Sequence, residues 1–348
     1  MMPVPHAKAK PQEQLSTRAV KISVVISTRN RADNLRDSLT RLANQRTDGD
    51  LSFEVLVADN GSTDHTRRVV DELAVHFPVM LRYLYEPRRG KPVAANSAFR
   101  QAAGEVLVVT DDDAVAETNW LSLLWRSFQE TGAQAIGGRV LPLWVDGRPE
   151  WLTDQLMRDL GALGLLDFGI ERIVVSQRTD RHYWWVGSNI AVRREVLDRL
   201  GGFDERRIRG QDVELFTRYR DAGVKIVYEP SAVVYHKIDA QRLTPEHFRR
   251  WYWRTGYYRA HEIAWRPHHL LTLIPLYCYR ELWRCTSKWW RTGSSPDTFW
   301  VRLGHECRAR AWWSILIHRI RLWPRWCLTV LMGRSYMPKA NGFRKDAA

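Results

Sequence analysis

The sequence holds few cysteines, and their spacing argues against the usual cysteine-based sites. Only four of the 348 residues are Cys, at positions 278, 285, 307 and 327, and no two have the CxxC spacing of a zinc site. Nothing in the pattern suggests a disulfide scaffold. We therefore expect four reduced, partly buried thiols.

The chain also lacks long apolar runs. Residues 1–15 are polar and have no apolar core of a secretory signal. The longest uncharged apolar stretch, Leu270–Tyr279, is too short to cross a bilayer as a helix. Internal repeats and long low-complexity tracts are missing too. These absences predict a cytoplasmic protein.

What the chain has in excess is positive charge, and all of it lies at one end. Residues 1–236 contain 32 Lys and Arg against 32 Asp and Glu, whereas residues 237–348 contain 21 against 7. Eleven of the 17 Trp residues lie from Trp251 onward. The composition predicts a disordered N-terminus (1–20), a globular domain (21–236) and a basic, Trp-rich helical region (237–348).

The densest acidic feature is Asp111–Asp113, directly after the apolar run Val106–Thr110. The β-branched run predicts a buried strand, which delivers three carboxylates to the edge of a sheet. Carboxylates this close repel one another unless a cation compensates them, and Mg²⁺ is often held by such groups together with substrate phosphates. A solvated acidic turn that caps the next helix is the simpler alternative.

Strand and helix patterns alternate along the first half of the chain. Ile22–Thr28 and Phe53–Asp59 predict strands, and a helical pattern follows each. Such units predict an α/β fold with a mainly parallel sheet flanked by helices, in which ligands bind at the carboxyl ends of the strands. Ser27-Thr28, Asp59 and Asp111–Asp113 should therefore converge on one rim. Further strands are predicted at 135–140, 185–192, 224–228 and 232–236, with helices at 194–200 and from about residue 212 to 222.

Taken in order, these pieces resemble the family 2 glycosyltransferases, which have the GT-A fold. The resemblance covers roughly residues 21–236. It rests on the fragments VVISTRNR, EVLVADNGSTD, GKPVAANSAFRQAAGEVLVVTDDD, GSNIAVRREVLDRLGGFDE, QDVEL and RDAGVKIVYEPSAVVYH. It implies a nucleotide-sugar donor, most often UDP-linked, a divalent cation (Mg²⁺ or Mn²⁺), and inverting transfer to an acceptor hydroxyl.

The resemblance also implies which residues hold the donor. Asp59 would contact the base, and Lys91 would lie near the phosphates. A turn residue and a solvated lysine at a helix start are the structural alternatives for these two. The full set of implied nucleotide and sugar contacts is Thr28, Arg29, Asp59, Gly90, Lys91, Asn96, Asp111, Asp112, Gly187 and Asn189.

For the metal, Asp111 and Asp113 match the outer positions of the family's DxD motif. Asp113 is the expected direct ligand, and Asp111 would reach the ribose, or the metal through water. His236 follows a predicted strand at a position that can complete the metal site. A structural histidine at a strand end is the alternative.

For catalysis, Asp212 stands where the family places the base that takes the acceptor's proton. A hydroxyl is a poor nucleophile until a base does so, whereas a metal can neutralise a leaving nucleoside diphosphate. The family commonly has Glu-Asp here, and this chain has Gln211-Asp212. A helix N-cap is the structural alternative for Asp212. Trp184 and Trp185 could stack on a sugar or belong to the core.

The basic C-terminal region mixes Trp and Arg with Leu and Ile, which is typical of segments in a membrane interface. We expect peripheral attachment to the inner face of the plasma membrane, near a glycan or lipid-linked acceptor or a cell-surface polysaccharide precursor. Packing on the catalytic domain is one alternative, and nucleic-acid binding is a less favoured one. The rival functions are a nucleotidyltransferase and a catalytically degenerate membrane scaffold.

Overall fold

The structure is a computed structural model that describes residues 19–47, 51–177, 183–207, 209–262, 274–295 and 298–331. The predicted disorder of residues 1–20 falls almost wholly outside this range. The described residues form two compact units. The first lies within 1–143, 165–205 and 210–237, and the second within 144–164, 206–209 and 238–348. The second unit thus includes 144–164 and 206–209, which the sequence analysis assigned to the first domain. The predicted division of the chain into domains at 21–236 and 237–348 stays a prediction.

The elements are as follows. The strands are β1 Ile22–Thr28, β2 Phe53–Asp59, β3 Met80–Tyr85, β4 Val106–Asp111, β5 Ala114–Ala116, β6 Ala135–Trp144, β7 Ile173–Val174, β8 Ile190–Arg193 and β9 Ile226–Ile238. The α-helices are α1 Ala32–Ala43, α2 Thr66–Ala74, α3 Lys91–Gln101, α4 Trp120–Thr131, α5 Asp154–Leu160, α6 Arg194–Leu200, α7 Gln211–Asp221, α8 Pro245–Glu262, α9 Leu276–Arg291 and α10 Phe299–Leu331.

The first unit is built on a sheet whose leading strands are parallel. Neighbours follow the order β3-β2-β1-β4, with β1 parallel to both β2 and β4. Every residue of β1 and β2 is buried. Successive side chains of a strand point to opposite faces, and Val24 accordingly packs in the core that includes Leu35 of α1, while Val25 packs with Ala94 of α3. The α/β prediction, with a mainly parallel sheet flanked by helices, is confirmed.

The sheet continues beyond β4 with strands of mixed direction. Its order there is β4-β8-β6-β9-β5, with β7 paired to β9. The predicted strand at 185–192 is wrong for its first half, because residues 187–189 form a turn in which the Asn189 amide bonds the Val186 carbonyl at 3.0 Å. The two strands predicted at 224–228 and 232–236 are one continuous strand, β9, since β7 pairs with its first part and β5 with its last.

The second unit is helical. Gly256 of α8 lies so close to α10 that a Cβ there would be 2.2 Å from the Ala311 carbonyl oxygen. Between the same two helices, buried Glu306 accepts hydrogen bonds from Arg249 Nε at 2.9 Å and Arg310 Nε at 2.7 Å. The predicted helical character of the C-terminal region is thus confirmed over its described residues. Among those parts of the chain that the structure describes, no helix combines the length and apolarity needed to cross a membrane.

Candidate active site

Three polar clusters meet at the carboxyl edge of the parallel strands. In the strand register Thr28 at the end of β1 lies beside Asp59 at the end of β2. On the other side of β1, Ser27 lies beside Asp111 at the end of β4. The predicted convergence on one rim is therefore confirmed, and it follows from the parallel register of β1, β2 and β4.

The aspartates at the end of β4 and just after it lie close to a histidine of strand β9. Ligand atoms of Asp111, Asp113 and His236 all lie within 4.8 Å of one another. His236 reaches this place because β9 pairs with β5, with His236 directly opposite Ala114. Its Nε2 is 3.2 Å from Asp113 Oδ1, and its buried Nδ1 has no hydrogen-bond partner among the described residues. The predicted trio is thus assembled in space.

The middle aspartate is held inward. Asp112 accepts hydrogen bonds from Thr28 Oγ1 at 2.8 Å and from Arg31 NH1 at 3.2 Å. The same Arg31 nitrogen is 2.7 Å from Asp113 Oδ2. Burial raises the pKa of Asp112 to about 6, because the attraction of Arg31 does not offset burial together with repulsion from Asp113 and Asp111. Arg31 alone therefore leaves this acidic cluster short of positive charge.

Lys91 supplies the second cation of the rim. It opens α3 and forms an ion pair with Asp111. Burial alone would lower the pKa of its amine, but attraction to Asp111 and the hydrogen bond between them raise that pKa overall. The lysine therefore stays charged.

The loop before Lys91 is aimed by a glycine and an asparagine. Gly90 has φ 138°, a conformation that favours glycine, and its N–H donates to Asn60 Oδ1 at 2.7 Å. Asn60 Nδ2 in turn donates to the carbonyls of Glu86 and Arg88. Buried Asn60 is a positioning residue that the sequence analysis missed. The signal that could have found it is its place directly after Asp59 at a strand end.

Asp212 lies near Lys91. It sits in the first turn of α7, and its Oδ2 accepts the Gly187 N–H at 3.2 Å. A Cβ built on Gly187 would be 3.7 Å from Lys91 Nζ and 3.9 Å from Asp212 Oδ2, so both charged groups approach this glycine. Burial raises the pKa of Asp212, although the Val213 N–H and attraction to Lys91 act against it. A raised pKa brings a carboxylate nearer to that of a useful base.

Asp59 is fixed at the opposite end of the rim. Its Oδ1 accepts from the Ser62 N–H at 2.8 Å, and its Oδ2 accepts from the Tyr83 hydroxyl at 2.6 Å. Arg67 lies over the Tyr83 ring, 4.3 Å from its centroid. Asp59 is 2% exposed, so its carboxylate is shielded from bulk water.

Comparison with known proteins decides the family. Residues 23–201, just over half of the chain, match the model of Glycosyl transferase family 2. This chain is a family 2 glycosyltransferase. Its GT-A fold and acidic DxD motif agree with that assignment.

Similar proteins come from several organisms. The glycosyltransferase is 25% identical to glycosyltransferase AglE of Haloferax volcanii over 220 residues, which is 62% of this chain and 66% of that protein, just under two thirds. It is 24% identical to glucosyl-dolichyl phosphate glucuronosyltransferase of the same organism, over 63% of this chain and 70% of that protein. The solved structure of mannosyltransferase PcManGT from Pyrobaculum calidifontis, with GDP-Man and Mn²⁺, is 21% identical, with a TM-score of 0.47 over 91% of this chain and 80% of that one.

Some predicted contacts of the glycosyltransferase are engaged elsewhere. Asn96 bonds the backbone of Phe203 through both its Oδ1 and its Nδ2. Asn189 is fully buried and its Nδ2 donates to the carbonyls of Arg139 and Ala232. Both amides therefore fasten protein segments, and no contact described here supports a role for them at the nucleotide. Their binding roles stay predictions.

The remaining candidates divide by exposure. Arg29 is exposed directly after β1. Trp185 is 1% exposed, packs edge-on against Phe216, and donates from Nε1 to the Asp212 carbonyl at 2.6 Å. Trp184 is 41% exposed, so of the two it alone is available to a sugar. Arg31 was missed by the sequence analysis, although its place just past the end of β1 was a usable signal.

Proposed function

We propose that this glycosyltransferase moves a sugar from a nucleotide-sugar, preferably UDP-linked, to an acceptor hydroxyl with inversion, and that it requires Mg²⁺ or Mn²⁺. One observation carries the proposal. The possible ligands Asp111, Asp113 and His236 are grouped at the rim, Lys91 is paired with Asp111, and both Lys91 and Asp212 approach Gly187. This grouping supports a cation site with a phosphate-facing lysine and a base close to it.

The donor atoms fit a divalent cation. Two carboxylates and an imidazole nitrogen suit Mn²⁺ well, while carboxylates with substrate phosphates suit Mg²⁺. Two observations favour an additional cation beside this cluster. The attraction of Arg31 does not offset the burial and repulsion that act on Asp112, and the buried Nδ1 of His236 has no hydrogen-bond partner among the described residues. When bound, the cation would neutralise charge on the departing nucleoside diphosphate.

The chain's own residues account for the rest of the reaction. Asp59 would hold the base of the nucleotide from its confined position, and Lys91 would face the phosphates. Thr28 holds Asp112 inward, and Arg31 fixes the position of Asp113. Asp212 would take the proton from the acceptor hydroxyl as that oxygen attacks the anomeric carbon from the side opposite the leaving group, which inverts its configuration.

Thermal unfolding tests the donor and the metal together. We expect UDP with Mn²⁺ to raise the melting temperature, and UDP without the metal to raise it much less. Protection by a nucleoside triphosphate but not by UDP would instead indicate the nucleotidyltransferase. Absence of protection by any of a panel of UDP-, GDP- and dTDP-sugars would favour the degenerate scaffold.

A single substitution tests the base. Asp212→Asn should lower UDP release from donor and acceptor by about 10²–10⁴-fold while UDP still protects against unfolding. The matched control is Asp221→Asn, at the exposed end of the same helix, which should keep turnover within about twofold. Wild-type turnover in Asp212→Asn would refute the proposed mechanism.

We propose, further, that the acceptor is membrane-handled: a lipid-linked glycan or a cell-surface polysaccharide precursor, met at the inner face of the plasma membrane. Two observations support this. One relative is a glucosyl-dolichyl phosphate glucuronosyltransferase, and residues 237–348 contain 21 basic residues against 7 acidic ones. Transfer to a lipid-linked acceptor, compared with a water-soluble hydroxyl compound, tests the acceptor class.

A further inference from the structure

Helix α9 of the second unit presents an unusual exposed stripe. Leu276, Trp283 and Trp290 are 70%, 69% and 69% exposed, and they recur at intervals of seven residues. At 3.6 residues per turn this spacing keeps all three on nearly one line along the helix. Tryptophan is a residue that proteins usually bury at least in part, so two of them this exposed on one line need an explanation.

The opposite face of α9 already has its partners. Cys278, Leu282 and Cys285 are buried, and Cys278 packs in a cluster with Ile315 of α10. The Trp stripe is therefore not the core-facing side of the helix. It is a second apolar face, directed away from the packing of the unit.

Basic residues flank the stripe. Arg280 and Arg284 are 79% and 61% exposed, and Lys288 and Arg291 are exposed as well. The one acidic residue of α9, Glu281, is paired with Arg284 and is largely covered. The same face of α9 thus combines apolar indole rings with a clear excess of positive charge.

We propose that this face of α9 lies flat in the headgroup region of an anionic lipid bilayer. Indole rings favour the boundary between headgroups and acyl chains, and arginine side chains reach from there to lipid phosphates. The basic charge of the face complements an anionic lipid surface. The proposal deepens the proposed membrane-handled acceptor, on which it rests, by naming the surface that brings the enzyme to it.

Flotation with vesicles tests the proposal on the full chain. Vesicles of equal parts phosphatidylcholine and phosphatidylglycerol should carry the protein, vesicles of phosphatidylcholine alone should not, and added salt should weaken binding. Arg280→Gln/Arg284→Gln/Arg291→Gln should lower the partition coefficient about a hundredfold, since each basic residue near such a surface contributes roughly fivefold. Trp283→Ala/Trp290→Ala should lower it about tenfold or more.

Matched controls separate the face from general charge and aromatic content. Arg41→Gln/Arg68→Gln/Arg126→Gln removes the same charge from exposed positions of the first unit and should bind vesicles within a few fold of the wild type. Trp184→Ala removes one exposed Trp of that unit and should do likewise. Unchanged melting temperatures would show that the α9 variants are folded, as expected for exposed side chains.

Two outcomes would overturn the proposal. One is vesicle binding that is the same in the α9 variants as in the wild type. The other is a protein that ignores anionic vesicles but binds a single-stranded oligonucleotide through the same arginines, which would make the face a nucleic-acid surface. UDP protection against unfolding should survive in every α9 variant, so failure here is distinguishable from failure of the proposed function.

Discussion

Two buried acidic groups, one in each unit, are compensated to different degrees. In the second unit, Glu306 is bonded by Arg249 and Arg310, and although burial raises its pKa, those two hydrogen bonds lower it overall. In the first unit, Asp112 shares Arg31 with Asp113, and its pKa is raised to about 6. The comparison teaches that a well-paired buried acid has a structural role, whereas a cluster of acids with too few positive partners is a place where a further cation can bind.

Tryptophan shows the same contrast. Trp120 and Trp185 of the first unit are 0% and 1% exposed, and both indole N–H groups donate to protein acceptors. Trp283 and Trp290 of the second unit are 69% exposed. Trp120 and Trp185 therefore help to fix the interior of the first unit, whereas Trp283 and Trp290 lie on the surface of the second. Substitutions in the two units should therefore affect different properties of the protein.

The largest effect should come from the rim. Asp113→Asn removes a charge from the proposed cation site, and we expect turnover with saturating Mn²⁺ to fall on the order of a thousandfold. The measurement is UDP release as a function of Mn²⁺ concentration. Asp64→Asn serves as the control for loss of a carboxylate on the same unit, and its turnover should stay within about tenfold. Equal loss in both variants would contradict a specific metal role for Asp113.

The next effect concerns the packing of the second unit. Gly256→Ala places a Cβ 2.2 Å from a backbone oxygen of α10, so we expect the free energy of unfolding of that unit to fall by about 1–3 kcal/mol. Hydrogen exchange of α8 and α10 amides would measure it. The control is Gly304→Ala on α10, where the nearest atom would be 3.8 Å away. That change should be neutral or slightly stabilising, because Ala favours a helix more than Gly does. Equal protection in the two variants would contradict the close approach.

The acidic limb of the pH profile should follow Asp212. A base must be ionised to accept a proton, and burial raises the pKa of this carboxyl. We therefore expect kcat/KM to fall on acidification at a higher pH than an ordinary aspartate, near 4, would give. Lys91→Gln removes an attraction that lowers this pKa and should move the limb to still higher pH. A limb that stays in place in Lys91→Gln would argue against the attraction between Lys91 and Asp212.

The smallest effect is the reactivity of the thiols. Cys278, Cys285 and Cys307 are buried, and burial raises the pKa of Cys307 to about 12. Cys327 is only partly buried. A thiol reagent should modify Cys327 of the native chain first, and the other three only after denaturation. Fast modification of Cys307 in the folded protein would contradict the packing around it.

The sequence by itself determined the parallel strands, the rim and the acidic cluster. Runs such as Val106–Val109 are apolar throughout because both of their faces are buried, and the parallel register brings Thr28, Asp59 and Asp111 to one edge. These are local patterns joined by one general rule of sheet geometry. For that reason the sequence alone was enough to predict them.

Only the tertiary structure decided how distant residues share the site. His236 meets Asp113 because β9 pairs with β5 across more than a hundred residues, and Asn189 turns inward to bond Arg139 and Ala232. Arg31 belongs to the cluster because its side chain donates hydrogen bonds to both Asp112 and Asp113. Long-range pairing and side-chain direction leave no periodic trace in a sequence. The fold therefore selected which of the polar residues near the rim face the site and which hold it together.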